Sequence, residues 1–173
     1  MAGSLTSAYG LDVNTTLALL PSSFPGLQVG ATQLVYDFAR SCYKEVMFVQ
    51  CDPNAANPMK ANAALKFTGV GTVDMVSTAG DIVAGVNDVS GSSPTVGPGT
   101  GVSIPIGNVF WMTIRGGIRP LLDAAVAAGP LETGSATTGQ LKAWTDPGAT
   151  FNQSNLQSLA ASGAGGATNC WMY

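Results

Sequence analysis

Glycine and proline break this chain every few residues, and that punctuation limits its possible folds more than any other feature. The 22 glycines and 10 prolines stand between short apolar or β-branched runs. Such runs are too short to build a helical stripe of period 3.6, yet long enough for strands closed by tight turns. The expected class is mainly β, a single compact β-sandwich or barrel-like domain. At 173 residues the chain makes one domain of ordinary size, with length left for an arm.

The clearest strand lies in residues 104–116, IPIGNVFWMTIRG. Val109, Trp111, Thr113 and Arg115 are expected on one face and Phe110, Met112 and Ile114 on the other, because side chains alternate along a strand. Residues 32–38 and 44–51 read as a strand pair, with KEVMFVQC apolar enough to be covered on both faces. Asn-Pro and Asp-Pro pairs make 52–62 a loop. Short strands resume at 64–67, 72–76 and 80–89, and SGSSPTVGPGTG at 90–101 is expected to be a mobile loop. The alanines of 121–128 favour helix, but Gly129-Pro130 cuts them off, so strand and turn are expected. A strand follows at 140–144. Apolar residues at 151, 156 and 159 give 151–161 a weakly helical spacing, and 167–173 is the last strand. Trp171 and Tyr173 share a face there, and an aromatic terminus is normally tied into the core or into another subunit.

Residues 1–30 hold no sustained period and are interrupted by four glycines and two prolines, so they read as an extended amino-terminal arm preceding a β-rich domain at 31–173. Leu17, Leu19, Leu20, Phe24 and Leu27 are too many for a solvated tail. Either they lie across a partner or they fold back on their own domain. With Trp171 and Tyr173 they are the candidate contact residues.

Charge decides what such a domain binds. Seven basic residues against ten acidic ones give a net charge of -3, without the footprint of a nucleic-acid binder. Only 10% of residues are charged, where about 25% is usual, and 46% are apolar. A surface so poor in charge gains by being covered. The chain has no histidine, which removes Ser-His-Asp and Cys-His nucleophiles and His-bearing zinc sites. The acids Asp12, Asp37, Glu45, Asp52, Asp74, Asp81, Asp88, Asp123, Glu132 and Asp146 are scattered, and the Gly-rich tracts lack the lysine of a phosphate cradle. No catalytic residue, metal or cofactor is therefore expected. Arg115 and Arg119 suit salt bridges better than a phosphate site.

The first cation is Arg40, so no secretory signal is expected, and the uncharged stretches 89–114 and 147–173 are too interrupted by Gly, Pro, Ser and Asn for a membrane span. Cys42, Cys51 and Cys170 fit no zinc spacing. Free buried thiols are the first reading, and a bridge from Cys42 to Cys51, or from Cys170 to a neighbouring chain, is the alternative.

Three stretches together resemble the head decoration, or capsid cement, proteins of tailed bacteriophages: KEVMFVQCD with AALKF, AGDIVAGV, and NVFWMTIRGG leading into LLDAAVAAGPLETGSATTGQLKAW. The likeness spans about residues 44–146. It implies a β-rich knob, commonly a homotrimer, made in the host cytoplasm and carried on the exterior of the virion head, where it pins major capsid protein subunits together. It implies no nucleic-acid or membrane partner. A receptor- or glycan-binding module of a tail fibre or appendage is the alternative, and a carboxylate-dependent hydrolase a third.

Overall fold

A computed structural model describes residues 28–37, 41–87, 103–123, 125–133, 137–145, 153–159 and 170–173. Among them there is no helix, and ten strands carry the fold: β1 (Thr32–Asp37), β2 (Cys42–Cys51), β3 (Ala64–Phe67), β4 (Thr72–Met75), β5 (Gly85–Val86), β6 (Val109–Ile118), β7 (Gly129–Glu132), β8 (Lys142–Ala143), β9 (Gln153–Ser158) and β10 (Cys170–Met172). The fold is mainly β, as the turn residues imply.

The two ten-residue strands β2 and β6 form an antiparallel ribbon that serves as the spine. Toward the carboxyl end of β2 the ribbon belongs to a ring, because β2 also pairs with β4, β4 with β3, β3 with β5, and β5 with β6. The β2–β4 contact, Gln50 and Cys51 against Thr72 and Val73, is parallel. Val49, Cys51, Leu65, Val73, Met75, Phe110 and Met112 form one buried cluster from these strands, with Met59, Ala63 and Ile104 from the connections. Full burial of a side chain such as Phe110 contributes about 2 to 3 kcal/mol.

Toward its other end the ribbon is extended on both sides into an antiparallel sheet. There β1 adds to β2 through six consecutive pairs, from Thr32 opposite Met47 to Asp37 opposite Cys42. On the far side β10 adds to β6, followed by β9, β7 and β8. Ala64, Val76, Val83 and Val86 of the ring pack against Ile118, Leu131, Leu156, Cys170 and Met172 of this sheet. A third cluster of Val35, Val46, Phe48, Val109 and Trp111 covers the reverse face of the ribbon, with Phe48 and Trp111 ring centroids 5.0 Å apart.

Several local expectations are corrected. Residues 153–158 are a strand rather than weak helix: Leu156 is buried between β7 and β10, while Leu159, which suggested the helical spacing, is exposed. Among the described residues 80–87 only Gly85–Val86 is strand, because Asp81 is drawn into a turn and Ile82 faces water. At β6 the alternation holds from Val109 to Thr113 and then fails. Val46 pairs with Thr113 but Glu45 pairs with Arg115, so Ile114 is the extra residue of a β-bulge. Arg115 is thereby turned to the Glu45 face instead of sharing that of Trp111. The loop expected at 90–101 lies outside the described residues, as do residues 1–27 of the arm.

Cys42 and Cys51 sit at the two ends of one strand, about 30 Å apart at the usual rise per residue, so they cannot bridge. All three cysteines are free thiols. Burial pushes the Cys170 thiol up to about 12 against an opposing hydrogen bond from Ser158, which leaves it an inert core side chain.

Candidate functional site

The open end of the β2–β6 ribbon presents an aromatic face. Directly opposed residues of antiparallel strands project to the same side, so Tyr36 and Tyr43, paired across β1 and β2, meet edge to face with centroids 5.0 Å apart and planes at 67°. One step along, Leu34 pairs with Glu45, and Glu45 pairs with Arg115. The register of β10 on β6 ends with Met172 opposite Gly116, and Tyr173 follows at the Arg115 end of that pairing. Leu34 is 66% exposed, Tyr43 62% and Tyr173 64%. The Tyr173 hydroxyl donates to Gln157 Oε1 at 2.6 Å, which fixes the terminal residue outside its own core. Arg115 Nη1 lies 3.8 Å from Glu45 Oε2, an exposed pair worth less than about 1 kcal/mol.

What holds this face is behind it. Lys44 Nζ and Asp37 Oδ2 are 3.5 Å apart and both side chains are buried. Gly116 lies beside Lys44 at a φ of +103°, and a Cβ on it would come within 2.8 Å of the Tyr43 carbonyl oxygen and 3.0 Å of Lys44 Cα. Only glycine allows β2 and β6 to approach so closely.

A second exposed apolar group caps the β3–β4 hairpin. Val70, between Gly69 and Gly71, is 102% exposed, as open to water as in an extended peptide, and Phe67 and Ile82 are exposed as well. Gly71 is at φ +71°, and its missing side chain makes room for Val29. The Gly30 amide donates to the Phe48 carbonyl at 2.6 Å and the Phe48 amide to Ala31 at 2.8 Å. The last residues of the arm are thus pinned on β2 beside the hairpin tip.

Asp81 stabilises the base of this group. Burial works to raise its pKa, but amides of Ser77 at 2.7 Å and Thr78 at 2.9 Å and the Lys66 ammonium at 2.9 Å outweigh that and hold it at about 2. A folded-state pKa below the ordinary 3.8 means that the stabilisation is present above pH 4 and is lost as pH falls through about 2. Asp81→Asn is expected to lose about 2 kcal/mol at pH 7 and little at pH 2. Urea melts of both proteins across that range check it.

The same cluster brings a serine beside a lysine. Lys66 Nζ is 3.2 Å from Ser77 Oγ, but it also donates to both Asp81 oxygens, so the serine faces an ion-paired ammonium rather than a base. Glu132 is buried with Lys142 Nζ at 3.4 Å and accepts from Thr145 Oγ1 at 3.0 Å. Among the described residues no three acidic or thiol side chains gather in a metal-holding group.

Leu17, Leu19, Leu20, Phe24 and Leu27 lie outside the described residues. Of the remaining candidates, Trp171 pairs by its backbone with Gly117 and Gln157, and Tyr173 belongs to the aromatic face. Sequence reasoning missed Leu34, Tyr36, Tyr43 and Val70. The signal for the first three was the hairpin reading itself, since pairing TQLVYD with CYKEVM puts two tyrosines on one side. Val70 between two glycines was a signal for an exposed tip.

No protein-family model matches the chain, and no curated protein matches it in sequence.

Proposed function

We propose that this is a structural virion protein, a head decoration or cement protein that binds the outer surface of a phage capsid and braces its major capsid protein subunits. The carrying observation is Val70, fully open to water at the tip of the β3–β4 hairpin, beside Val29. An apolar side chain held out between two glycines gains free energy only when a partner covers it. Leu17, Leu19, Leu20, Phe24 and Leu27 precede Val29 in sequence, and on this reading they contact the same partner as the tip. Several modest contacts held on one body give lasting attachment through effective concentration. The short motifs that resemble decoration proteins and the scarcity of charge support the same reading.

The test is co-sedimentation of the full-length chain with shells assembled from the major capsid protein of the same genome. Val70→Asp is expected to weaken binding at least about 10-fold, since burying an unpaired carboxylate is prohibitive, without changing the fold. Phe24→Ser with Leu27→Ser is expected to do the same. Undiminished binding by Val70→Asp would remove the tip from the mechanism. Binding on a glycan array with none to shells would replace the reading by that of a receptor-binding module.

A further inference from the structure

We infer that Val29 is a positioning residue: seated in the notch left by Gly71, it fixes the Val70 tip relative to the arm. The inference rests on the reading of the chain as a decoration protein and adds to it the residue that aligns its two contacts. Val29 is presented by a turn. The Ala31 amide donates to the Gln28 carbonyl at 3.0 Å, with Val29 and Gly30 between them and Gly30 at a φ of +95°. A positive φ at the third position is what a type II turn requires, and glycine meets it without strain. From the corner of this turn Val29 packs on the cluster of Val35, Val46, Phe48, Val109 and Trp111. Its Cγ1 fills the place where a Cβ on Gly71 would stand, and its Cβ is 3.3 Å from that place. One side chain thus touches both the sheet and the base of the tip.

The backbone gives this wedge its leverage. The Phe48 amide donates to the Ala31 carbonyl at 2.8 Å, and the Gln50 amide, further along β2, donates to the Gly71 carbonyl at 2.9 Å. The chain before β1 therefore turns away from β2 at Gly30 and yields that edge to the hairpin. The tip is closed on itself, by the Thr68 amide on the Thr72 carbonyl at 3.0 Å and by the two threonine hydroxyls at 3.3 Å, so it moves as a unit. The parallel contact of β4 with β2 is only two pairs long. A side chain wedged at the base of such a unit sets the angle at which Val70 is held out. Two modest contacts add to a lasting one when their spacing matches that of their targets. Val29 belongs to the arm by sequence and to the tip by contact, so it sets that spacing.

Two measurements on the full-length chain test this. In amide hydrogen exchange, Val29→Ala is expected to speed the Gln50 and Gly30 amides about 10-fold, while the Asn87 amide, bonded to Ala63 in the ring, keeps its rate. Val29→Ile keeps the branched wedge and is expected to exchange like wild type. In co-sedimentation with shells, Val29→Ala is expected to weaken binding about 10-fold, and Val29→Ile to bind like wild type. Added to Phe24→Ser with Leu27→Ser, Val29→Ala is expected to cost nothing further, because no second contact is left to align. A Val29 that only touched the shell, or only stabilised the fold, would weaken binding in that background too. Unchanged exchange in Val29→Ala overturns the inference, as does an equal loss of shell binding in both backgrounds. If wild type and Val29→Ala bind shells equally well, the positioning role falls and the decoration reading survives. If no form of the chain binds shells while Val29→Ala frees the Gln50 amide, the decoration reading falls and the wedge stands.

Discussion

Gly116→Ala is expected to destabilise the protein by about 3 kcal/mol and to lower its melting temperature by roughly 6–12 °C. Two effects add. A left-handed φ of +103° is unfavourable for any residue with a Cβ, by about 1 to 2 kcal/mol. The new methyl would also lie 2.8 Å from the Tyr43 carbonyl oxygen and 3.0 Å from Lys44 Cα, both backbone atoms of the paired strand, so relief requires the spine to part, at a further 1 to 3 kcal/mol or so. Gly107→Ala separates the two effects, because Gly107 has a φ of +79° with open space around it. It is expected to lose only the conformational part, about 1 kcal/mol. Thermal melts of the three proteins check the order, and equal losses at the two positions would show that the close approach of β2 and β6 does not matter.

The buried pair behind the aromatic face gives the other large effect. Lys44→Met removes the ammonium that faces the buried Asp37 carboxylate, at an expected loss of about 3 kcal/mol. Lys44→Met with Asp37→Leu is expected to recover most of that loss, coming within about 1 to 2 kcal/mol of the wild type, since an apolar pair of similar size suits the site. Val35 pairs with Lys44 across the strands, and Gly116 lies against Lys44. Urea denaturation of the two single variants and the double variant yields the coupling. A double variant as unstable as the sum of the singles would mean that the pair is not a unit. The pair also locks Asp37 and Lys44 into the hairpin, and a one-residue slip there would turn Tyr36 and Tyr43 to opposite sides of the sheet.

Much of the fold was legible in the sequence because turn chemistry is local. Asn-Pro and Gly-rich punctuation located β2, β3 and β4 closely, β6 begins at Val109 rather than at the expected 104, and alternation correctly divided Phe110 and Met112 from Val109 and Trp111. Nonlocal features were not legible. The bulge at Ile114 depends on how β2 and β6 pair, and nothing in WMTIRGG announces an extra residue. Residues 153–158 became strand because β7 and β10 offer them backbone partners on both sides, which outweighs a sparse 3.6-residue spacing. The site was less legible still. Apolar residues of the arm drew attention by their number, whereas Leu34, Tyr36 and Tyr43 read as ordinary strand residues until pairing put them on one exposed face. Val70 looked like part of a turn, and only its full exposure distinguishes it.

The most direct measurement is an electron-microscopic reconstruction of capsids incubated with the full-length chain, beside capsids without it. The expected result is added density on the outer surface of the head, with its Val70 hairpin against the major capsid protein. Capsids that gain no density, or density confined to the tail, would contradict the account.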